Sequence, residues 1–122
     1  LQGDIPPSIG NLVEIKELRL YHNQLSGEIP TELGNLSNLA YLSLRNNNLS
    51  GEIPTEISSL KHLQTLLLNN NNLSGEIPQS ICDLDISWND SLYFDISNNQ
   101  LCESYPSCVV NYIFLQDTTS CP

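Results

Sequence analysis

The amino-acid sequence predicts a solenoid, in which similar coils of chain stack on one another. The first observation is the segment SGEIP, which occurs three times at intervals of 24 residues, at residues 26–30, 50–54 and 74–78. The second is a set of aliphatic positions that recur with the same period. One coil cannot bury such residues alone, whereas stacked coils bury them in a continuous core.

The repeated loop forms one part of each coil. A less exact copy, GDIP at residues 3–6, stands in phase with the three SGEIP segments. Gly allows backbone conformations that other residues resist, and Pro prevents the loop from becoming an α-helix. We therefore expect the loop to shape the back of each coil. Its aliphatic residue would anchor it to the core at Ile5, Ile29, Ile53 and Ile77.

The motif L-x-L, which begins at Leu18, Leu42 and Leu66, predicts a short strand in each coil. Strands of successive coils would pair into a parallel sheet with a spacing of about 4.8 Å. An Asn follows each strand, and its amide can bond backbone groups of the turn that would otherwise be buried without partners. We predict that this structural ladder comprises Asn23, Asn47, Asn71 and Asn99.

The combined pattern L-x-x-L-x-L-x-x-N-x-L and L-S-G-x-I-P resembles the plant-type leucine-rich repeat over residues 1 to about 101. Proteins of this type include receptor-kinase ectodomains and polygalacturonase-inhibiting proteins. The resemblance implies a right-handed superhelix with a short parallel sheet on its concave side. It also implies a second short sheet near the x-I-P segment, and 3-10 turns and loops on the convex side.

The phase of the repeat changes after Pro78, and two registers compete for the last coil. A strand at Leu84-x-Ile86 needs an 18-residue coil, whereas a strand at Phe94-x-Ile96 needs a 28-residue coil. The second keeps the Leu that follows the Asn, and it places the extra residues in a bulge, which costs little. We therefore predict leucine-rich repeats over 1–101 (a partial first coil, three full coils and one 28-residue coil) and a disulfide-rich C-terminal cap over 102–122, which shows no repeat pattern.

Four cysteines, Cys82, Cys102, Cys108 and Cys121, lack the spacing of a zinc site and indicate disulfides. Disulfides indicate an oxidising compartment outside the cytosol. Three pairings are possible, and we favour Cys82–Cys102 with Cys108–Cys121, because the latter closes a short loop. The tail LCESYPSC…QDTTSC resembles C-terminal caps of secreted bacterial repeat proteins, so both a plant and a bacterial origin stay open. Sequons for N-glycosylation occur at Asn35, Asn48, Asn72 and Asn89.

The net charge of −10, from 14 acidic and 4 basic residues, argues against binding of nucleic acid or anionic membranes. No apolar run is long enough for membrane insertion. Glu28, Glu52 and Glu76 repeat once per coil, which is typical of a solvated acidic ridge rather than a calcium site. No catalytic constellation, phosphate-binding loop or metal-ligand cluster occurs, so we predict a protein without enzymatic activity, metal or cofactor.

The outward positions of the concave strands are the most informative for function. Three of the four basic residues, Lys16, Arg19 and Arg45, lie in or beside these strands, and Tyr and Arg are common in binding hot spots. Leu67 stands between two core leucines, so strand alternation predicts that it is exposed. The candidate ligand-binding residues are Glu17, Arg19, Tyr21, His22, Tyr41, Arg45, Leu67, Asn69, Tyr93 and Asp95.

The sequence favours an extracellular recognition module, secreted or at the cell surface, that binds a protein, peptide or glycan on its concave sheet. The alternative is a structural or adhesive module that stacks end to end or belongs to a longer repeat array. This alternative rests on the first coil, which has no matching cap and could mediate self-association. Ice binding is a weaker third hypothesis, because the ladders of Asn and Ser are few and are interrupted by charges.

Overall fold

The computed structural model describes residues 1–122 as one stack of coils. Each regular coil contains two short strands and one 3-10 helix, and the 3-10 helix begins directly after the Pro of the repeated loop. The elements are β1 (Gln2–Asp4), η1 (Pro7–Asn11), β2 (Glu17–Arg19), β3 (Gln24–Glu28), η2 (Thr31–Asn35), β4 (Tyr41–Ser43), β5 (Asn48–Gly51), η3 (Thr55–Ser59), β6 (Thr65–Leu67), β7 (Asn72–Glu76), η4 (Gln79–Asp83), β8 (Phe94–Asp95) and β9 (Gln100–Cys102).

The strands form two parallel sheets, which confirms the predicted solenoid. The concave sheet has the order β2-β4-β6-β8, and the second sheet has the order β1-β3-β5-β7-β9. In the concave sheet Leu18 lies opposite Leu42, and Leu42 lies opposite Leu66. Leu66 then lies opposite Phe94, so the last step is 28 residues long and the strand of the long coil is β8.

A core of 25 buried residues runs through the stack. It contains the leucines of the L-x-L motif, except Leu20, which is only partly buried, and the isoleucines of the repeated loop, together with Phe94 of the long coil. Trp88 packs edge-to-face against Phe94, with ring centroids 4.9 Å apart, and covers the core where the long coil bulges. The aliphatic residues of the first coil are less buried than their equivalents in later coils, and Leu12 is 48% exposed.

The Asn side chains connect each coil to the one before it. Asn47 Nδ2 donates to the carbonyl of Leu44 in its own coil (3.0 Å) and to that of Leu20 in the preceding coil (2.9 Å). Asn47 Oδ1 accepts from the backbone N–H of Leu25, 22 residues earlier (3.1 Å). Asn71 and Asn99 make the same set of bonds one and two coils further on.

Gln116 of the cap ends this ladder. Its Oε1 accepts from the backbone N–H of Leu101 at 3.0 Å, and its Nε2 donates to the carbonyl of Ile96 at 2.8 Å. These are the backbone groups that a further Asn would bond in a regular coil. The cap thereby satisfies buried polar groups that the last coil would otherwise leave without partners.

The disulfides join Cys82 to Cys108 and Cys102 to Cys121, each with Cα atoms 5.7 Å apart, so the pairing that the sequence analysis favours is wrong. The reason is that the chain after Cys102 winds one more time before it ends. Val109 N donates to the carbonyl of Pro106, just as Leu33 N donates to that of Pro30 in a regular coil. This extra turn carries Cys108 over Cys82.

In the preceding two coils, the positions equivalent to the Cys82–Cys108 pair are occupied by two serines. Ser58 Oγ and Ser80 Oγ lie 2.7 Å apart and share a hydrogen bond. Ser58 and Cys82 both stand four residues after the loop Pro, and Ser80 and Cys108 both stand two residues after it. The first disulfide therefore replaces a hydrogen bond between neighbouring coils by a covalent bond.

The glycines of the repeated loop are required for two reasons. Gly51 has a φ of +77°, a conformation that strains residues with a side chain. A Cβ at this position would also lie 2.7 Å from Glu28 Cγ, because the acidic side chain of each coil folds over the glycine of the next. Gly3 has a φ of +89°, but a Cβ there would meet nothing within 4 Å.

The two requirements can be separated by substitution. We expect Gly51→Ala to lower the free energy of unfolding by about 2 kcal/mol, because it adds both strain and a collision with Glu28. Gly3→Ala should cost only about 1 kcal/mol, since it adds strain alone. Urea denaturation of both variants measures the difference. Equal losses would show that the packing of Glu28 on the loop is not a constraint.

Candidate ligand-binding surface

The outward side chains of the concave sheet form rows across its strands because equivalent residues lie opposite one another. One row begins with Glu17, which lies opposite Tyr41, and Tyr41 lies opposite Thr65. The next row runs from Arg19 through Ser43 and Leu67 to Asp95. The structure therefore brings most of the predicted binding residues onto one surface. We define the concave surface as Glu17, Arg19, Tyr21, Tyr41, Ser43, Arg45, Thr65, Leu67, Asn69, Tyr93, Asp95 and Ser97.

Two arginines lie over two tyrosines at one end of the concave surface. Arg19 Cζ is 4.1 Å from the centre of the Tyr41 ring, and Arg45 Cζ is 4.8 Å from the centre of the Tyr21 ring. Such cation–π contacts are electrostatically favourable and hold the planar guanidinium in a defined orientation. Both pairs cross from one coil to the next, so each coil fixes a side chain of its neighbour.

Glu17 orients Arg19 further. Arg19 Nε donates to Glu17 Oε1 at 2.8 Å, and this hydrogen bond raises the pKa of the Arg19 guanidinium. Both side chains are about half exposed, at 49% for Arg19 and 55% for Glu17. The pair is therefore accessible to a partner and contributes little to folding, as is usual for ion pairs in contact with water.

The centre of the concave surface is more buried than its ends. Leu67 is only 7% exposed, so the expectation that it is an exposed binding residue is wrong. Strand alternation does keep it out of the main core cluster. Ser43, opposite it on the neighbouring strand, and Thr65, two residues before it, are buried as well.

Three buried polar atoms on the concave surface have no hydrogen-bond partner within the protein. They are Ser43 Oγ, Arg45 Nε and Asn69 Oδ1. Arg45 and Asn69 occupy equivalent positions in neighbouring coils, since Asn46 N donates to the carbonyl of Asn69 in the regular pattern between coils. Buried polar groups in native proteins nearly always have partners. The centre of this surface therefore contains polar groups that the protein itself leaves without partners.

A row of left-handed residues that the sequence analysis did not identify borders the concave surface. His22, Asn46, Asn70 and Asn98 have φ values of 56°, 59°, 60° and 57°. Asn70 Nδ2 donates to Asn46 Oδ1 at 2.6 Å, and Asn46 Nδ2 lies 3.1 Å from His22 Nδ1. Asn tolerates this conformation better than most residues, so the Asn before each ladder Asn was the signal that could have revealed the row.

At the other end of the surface, Tyr93 is 44% exposed and Asp95 is held in place by Ser97. Ser97 donates to Asp95 Oδ1 through its backbone N–H (2.9 Å) and its hydroxyl (2.6 Å). Leu115 of the cap extends the surface, because its carbonyl accepts from Asn98 N as Ser97 accepts from Asn70 N one coil earlier. Leu115 is 71% exposed, and nothing in the repeat pattern predicts its position.

The rest of the molecule shows few features of other functions. No group of three or more His, Cys, Asp or Glu side chains is arranged to hold a metal ion. Of the acidic ridge, Glu28 and Glu52 lie singly over the glycines of the next coils, and Glu76 accepts from the backbone N–H of Ser104. None of the helices has both the length and the apolar character that a membrane crossing requires.

The sequence pattern of the family described as Leucine Rich Repeat matches residues 14–36, 38–60 and 62–84. A comparison with curated proteins found no match. Among solved structures, a chain of the BIR3–SERK2 complex from Arabidopsis thaliana is 34% identical, with a TM-score of 0.79 over 91% of this chain and 57% of that one. The ectodomain of the receptor kinase SOBIR1, from the same plant, is 35% identical, with a TM-score of 0.76 over 94% of this chain and 61% of its own.

A third similar structure is the ectodomain of the Arabidopsis receptor kinase HAESA in complex with an extended IDA peptide hormone ligand. It is 42% identical, with a TM-score of 0.74 over 84% of this chain and 16% of that ectodomain. The chain thus spans less than two thirds of each of these three structures.

The buried position of Leu67 leads to a testable expectation. Leu67→Glu should lower the free energy of unfolding by about 2–4 kcal/mol, because a carboxylate would be placed where a leucine is 7% exposed. Leu92→Glu is the control, since Leu92 is 75% exposed and the change should cost less than about 0.5 kcal/mol. Thermal or urea denaturation compares the two. Similar stability of both variants would mean that Leu67 is accessible after all.

Proposed function

Because the chain belongs to the leucine-rich repeat family, we propose that it is a non-catalytic extracellular recognition module that binds a peptide segment on its concave surface. The extracellular location is supported by the two disulfides and by the similar receptor ectodomains. Binding of a peptide is supported by the HAESA complex, whose ligand is a peptide hormone. A shared fold alone does not identify a ligand, so the choice of surface and ligand chemistry depends on the residues of this chain.

The observation that carries the proposal is the pair of Arg–Tyr contacts on the concave surface. The chain has a net charge of −10 and only four Lys and Arg residues, yet Arg19 and Arg45 both lie on this surface. Guanidinium groups bind carboxylates and carbonyl oxygens through paired N–H donors. Because the tyrosines already orient both groups, little side-chain entropy is lost on binding. The arrangement favours a ligand rich in acceptor oxygens.

The size of the surface fits a short extended peptide. Four parallel strands about 4.8 Å apart span roughly 14 Å, which an extended chain covers with about five residues. Along such a path the ligand would meet Glu17 and Arg19 on the first strand, then Tyr41 and Arg45, then Asn69, and finally Asp95 and Tyr93. Carboxylates thus lie at both ends of the surface, but Glu17 is already paired with Arg19. A peptide would therefore place its acceptor-rich part over Arg45, away from Asp95.

The peptide-binding proposal can be tested with a displayed library of short random peptides selected against the wild-type protein. We expect the selected peptides to bind Arg45→Ala and Tyr41→Ala at least tenfold more weakly, a loss of ~1.4 kcal/mol or more. Arg45→Lys should also bind more weakly, because lysine keeps the charge but loses the paired donors and the contact with Tyr21. Isothermal calorimetry gives the affinities.

His62→Ala is the matched control, because His62 is exposed in a turn outside the concave surface. It should leave the affinity unchanged. Peptides that bind Arg45→Ala and Tyr41→Ala as tightly as the wild type would show that the concave surface is not the binding site. Loss of binding by His62→Ala alone would place the site on the convex side.

A further inference from the structure

Two of the Asn-x-Ser sequons lie in identical segments that assign a different environment to each of three consecutive asparagines. The segment is N-N-N-L-S, at residues 46–50 and 70–74. The first Asn has a left-handed backbone, and the second is the buried ladder residue. Only the third, Asn48 or Asn72, is the Asn of a sequon. Both of these residues are exposed.

The fold does not require an asparagine at the sequon position. Asn48 and Asn72 make no side-chain hydrogen bond, whereas the ladder residue before each of them makes several. Gln24 and Gln100 occupy the same position at the start of β3 and β9, next to the corresponding Leu. Structural demands therefore explain the first two asparagines of each segment and leave the third without a structural role.

The position of these residues leaves room for a large substituent. Asn48 and Asn72 begin β5 and β7 of the second sheet, and neither belongs to a strand of the concave sheet. The pairing of β5 with β7 sets Ser50 opposite Asn72, so the two sequons are neighbours on one flank. Asn35 differs, because its side chain lies against Gly10 of the preceding coil. A Cβ added to Gly10 would be only 3.2 Å from Asn35 Nδ2.

We propose that Asn48 and Asn72 are sites of N-glycosylation, and that their oligosaccharides cover the flank formed by the second sheet while the concave surface stays bare. In the reaction, Asn Nδ2 forms a bond to C1 of the first N-acetylglucosamine of a lipid-diphosphate-linked oligosaccharide. The bond from C1 to the diphosphate breaks, the lipid diphosphate leaves with the electron pair, and Nδ2 gives up one proton to a base. The inference rests on the extracellular location in the proposed function.

The structure also indicates when, relative to folding, the oligosaccharide must be transferred. Ser50 and Ser74, whose hydroxyls complete the sequons, are half-buried within β5 and β7. In the finished fold, β5 is paired with β3 on one side and with β7 on the other. A transferase that needs the sequon in an open conformation must act before these sheets close. Once the chain folds, the exposed Asn side chains point the oligosaccharides into solvent without disturbing the core.

The test is production of the whole chain in eukaryotic secretory cells, followed by peptide-N-glycosidase digestion and mass spectrometry. The enzyme converts each glycosylated Asn to Asp, so the modified positions can be read directly. We expect Asn48 and Asn72 to be converted. Ser50→Ala should abolish conversion of Asn48 and Ser74→Ala that of Asn72, whereas Ser50→Thr and Ser74→Thr, which keep the sequons, should retain it.

Recovery of Asn48 and Asn72 as unmodified Asn, from cells that glycosylate a co-expressed control protein, would overturn the proposal. Modification of Asn35 and Asn89 alone would overturn it as well. The second half of the proposal is tested by the peptides selected above, which should bind the glycosylated and the digested wild-type protein with equal affinity. A tenfold gain in peptide affinity after removal of the oligosaccharides would show that they cover the concave surface, and would contradict the proposal.

The outcomes also separate this inference from the proposed function. Absence of sugar with intact, Arg45-dependent peptide binding would overturn the glycosylation sites and leave the binding surface in place. Oligosaccharide on both residues, together with peptide binding that is unchanged in Arg45→Ala, would support the glycosylation sites and overturn the binding surface.

Discussion

The hydrogen bonds of the Asn ladder are the interactions on which the rest of the structure depends. Asn47, Asn71 and Asn99 each bond a carbonyl in their own coil, a carbonyl in the preceding coil and a backbone N–H in the preceding coil. The carbonyls lie just after the strands of the concave sheet, and the N–H groups belong to the second residue of each strand of the second sheet. A buried backbone group without a partner costs about 1–3 kcal/mol, so one side chain per coil sets the register of both sheets at once.

The concave surface follows from that register. Equivalent residues lie opposite one another only because every coil is fixed to the previous one, and the contacts of Arg19 with Tyr41 and Arg45 with Tyr21 join residues of adjacent coils. The ladder also determines how the stack ends. Gln116 replaces the missing Asn, and the Cys82–Cys108 bond fixes the extra turn that brings the cap into place. A surface supported in this way is already ordered before a ligand arrives, which favours binding.

The sequence predicts the features that repeat and fails where packing is decided by distant or non-repeating residues. The period predicts the L-x-L strands and the Asn ladder, because each depends on equivalent positions in neighbouring coils. The strand at Phe94 lies off the 24-residue period, and the Leu that follows its Asn identifies it. The burial of Leu67 could not be predicted, since strand alternation says which face of the sheet a residue lies on but not how deeply it is buried there. Loop length alone predicts the wrong disulfide pairing. The spacing P-x-x-V-x-x-Y at residues 106–112 continues the turns of the repeat, and this extra turn places Cys108 next to Cys82. Leu115 and Gln116 lie outside any repeated motif.

The most direct test of the ladder is native-state hydrogen exchange at the backbone amides of Leu25, Leu49, Leu73 and Leu101. The first three donate to ladder Asn side chains and the fourth donates to Gln116. If these bonds hold the coils together, all four amides should exchange only through global unfolding, with the free energy that denaturation gives. Amides in the exposed turn at Val13 and Glu14 should exchange far faster. Exchange of the four leucine amides at the rate of that turn would contradict the account.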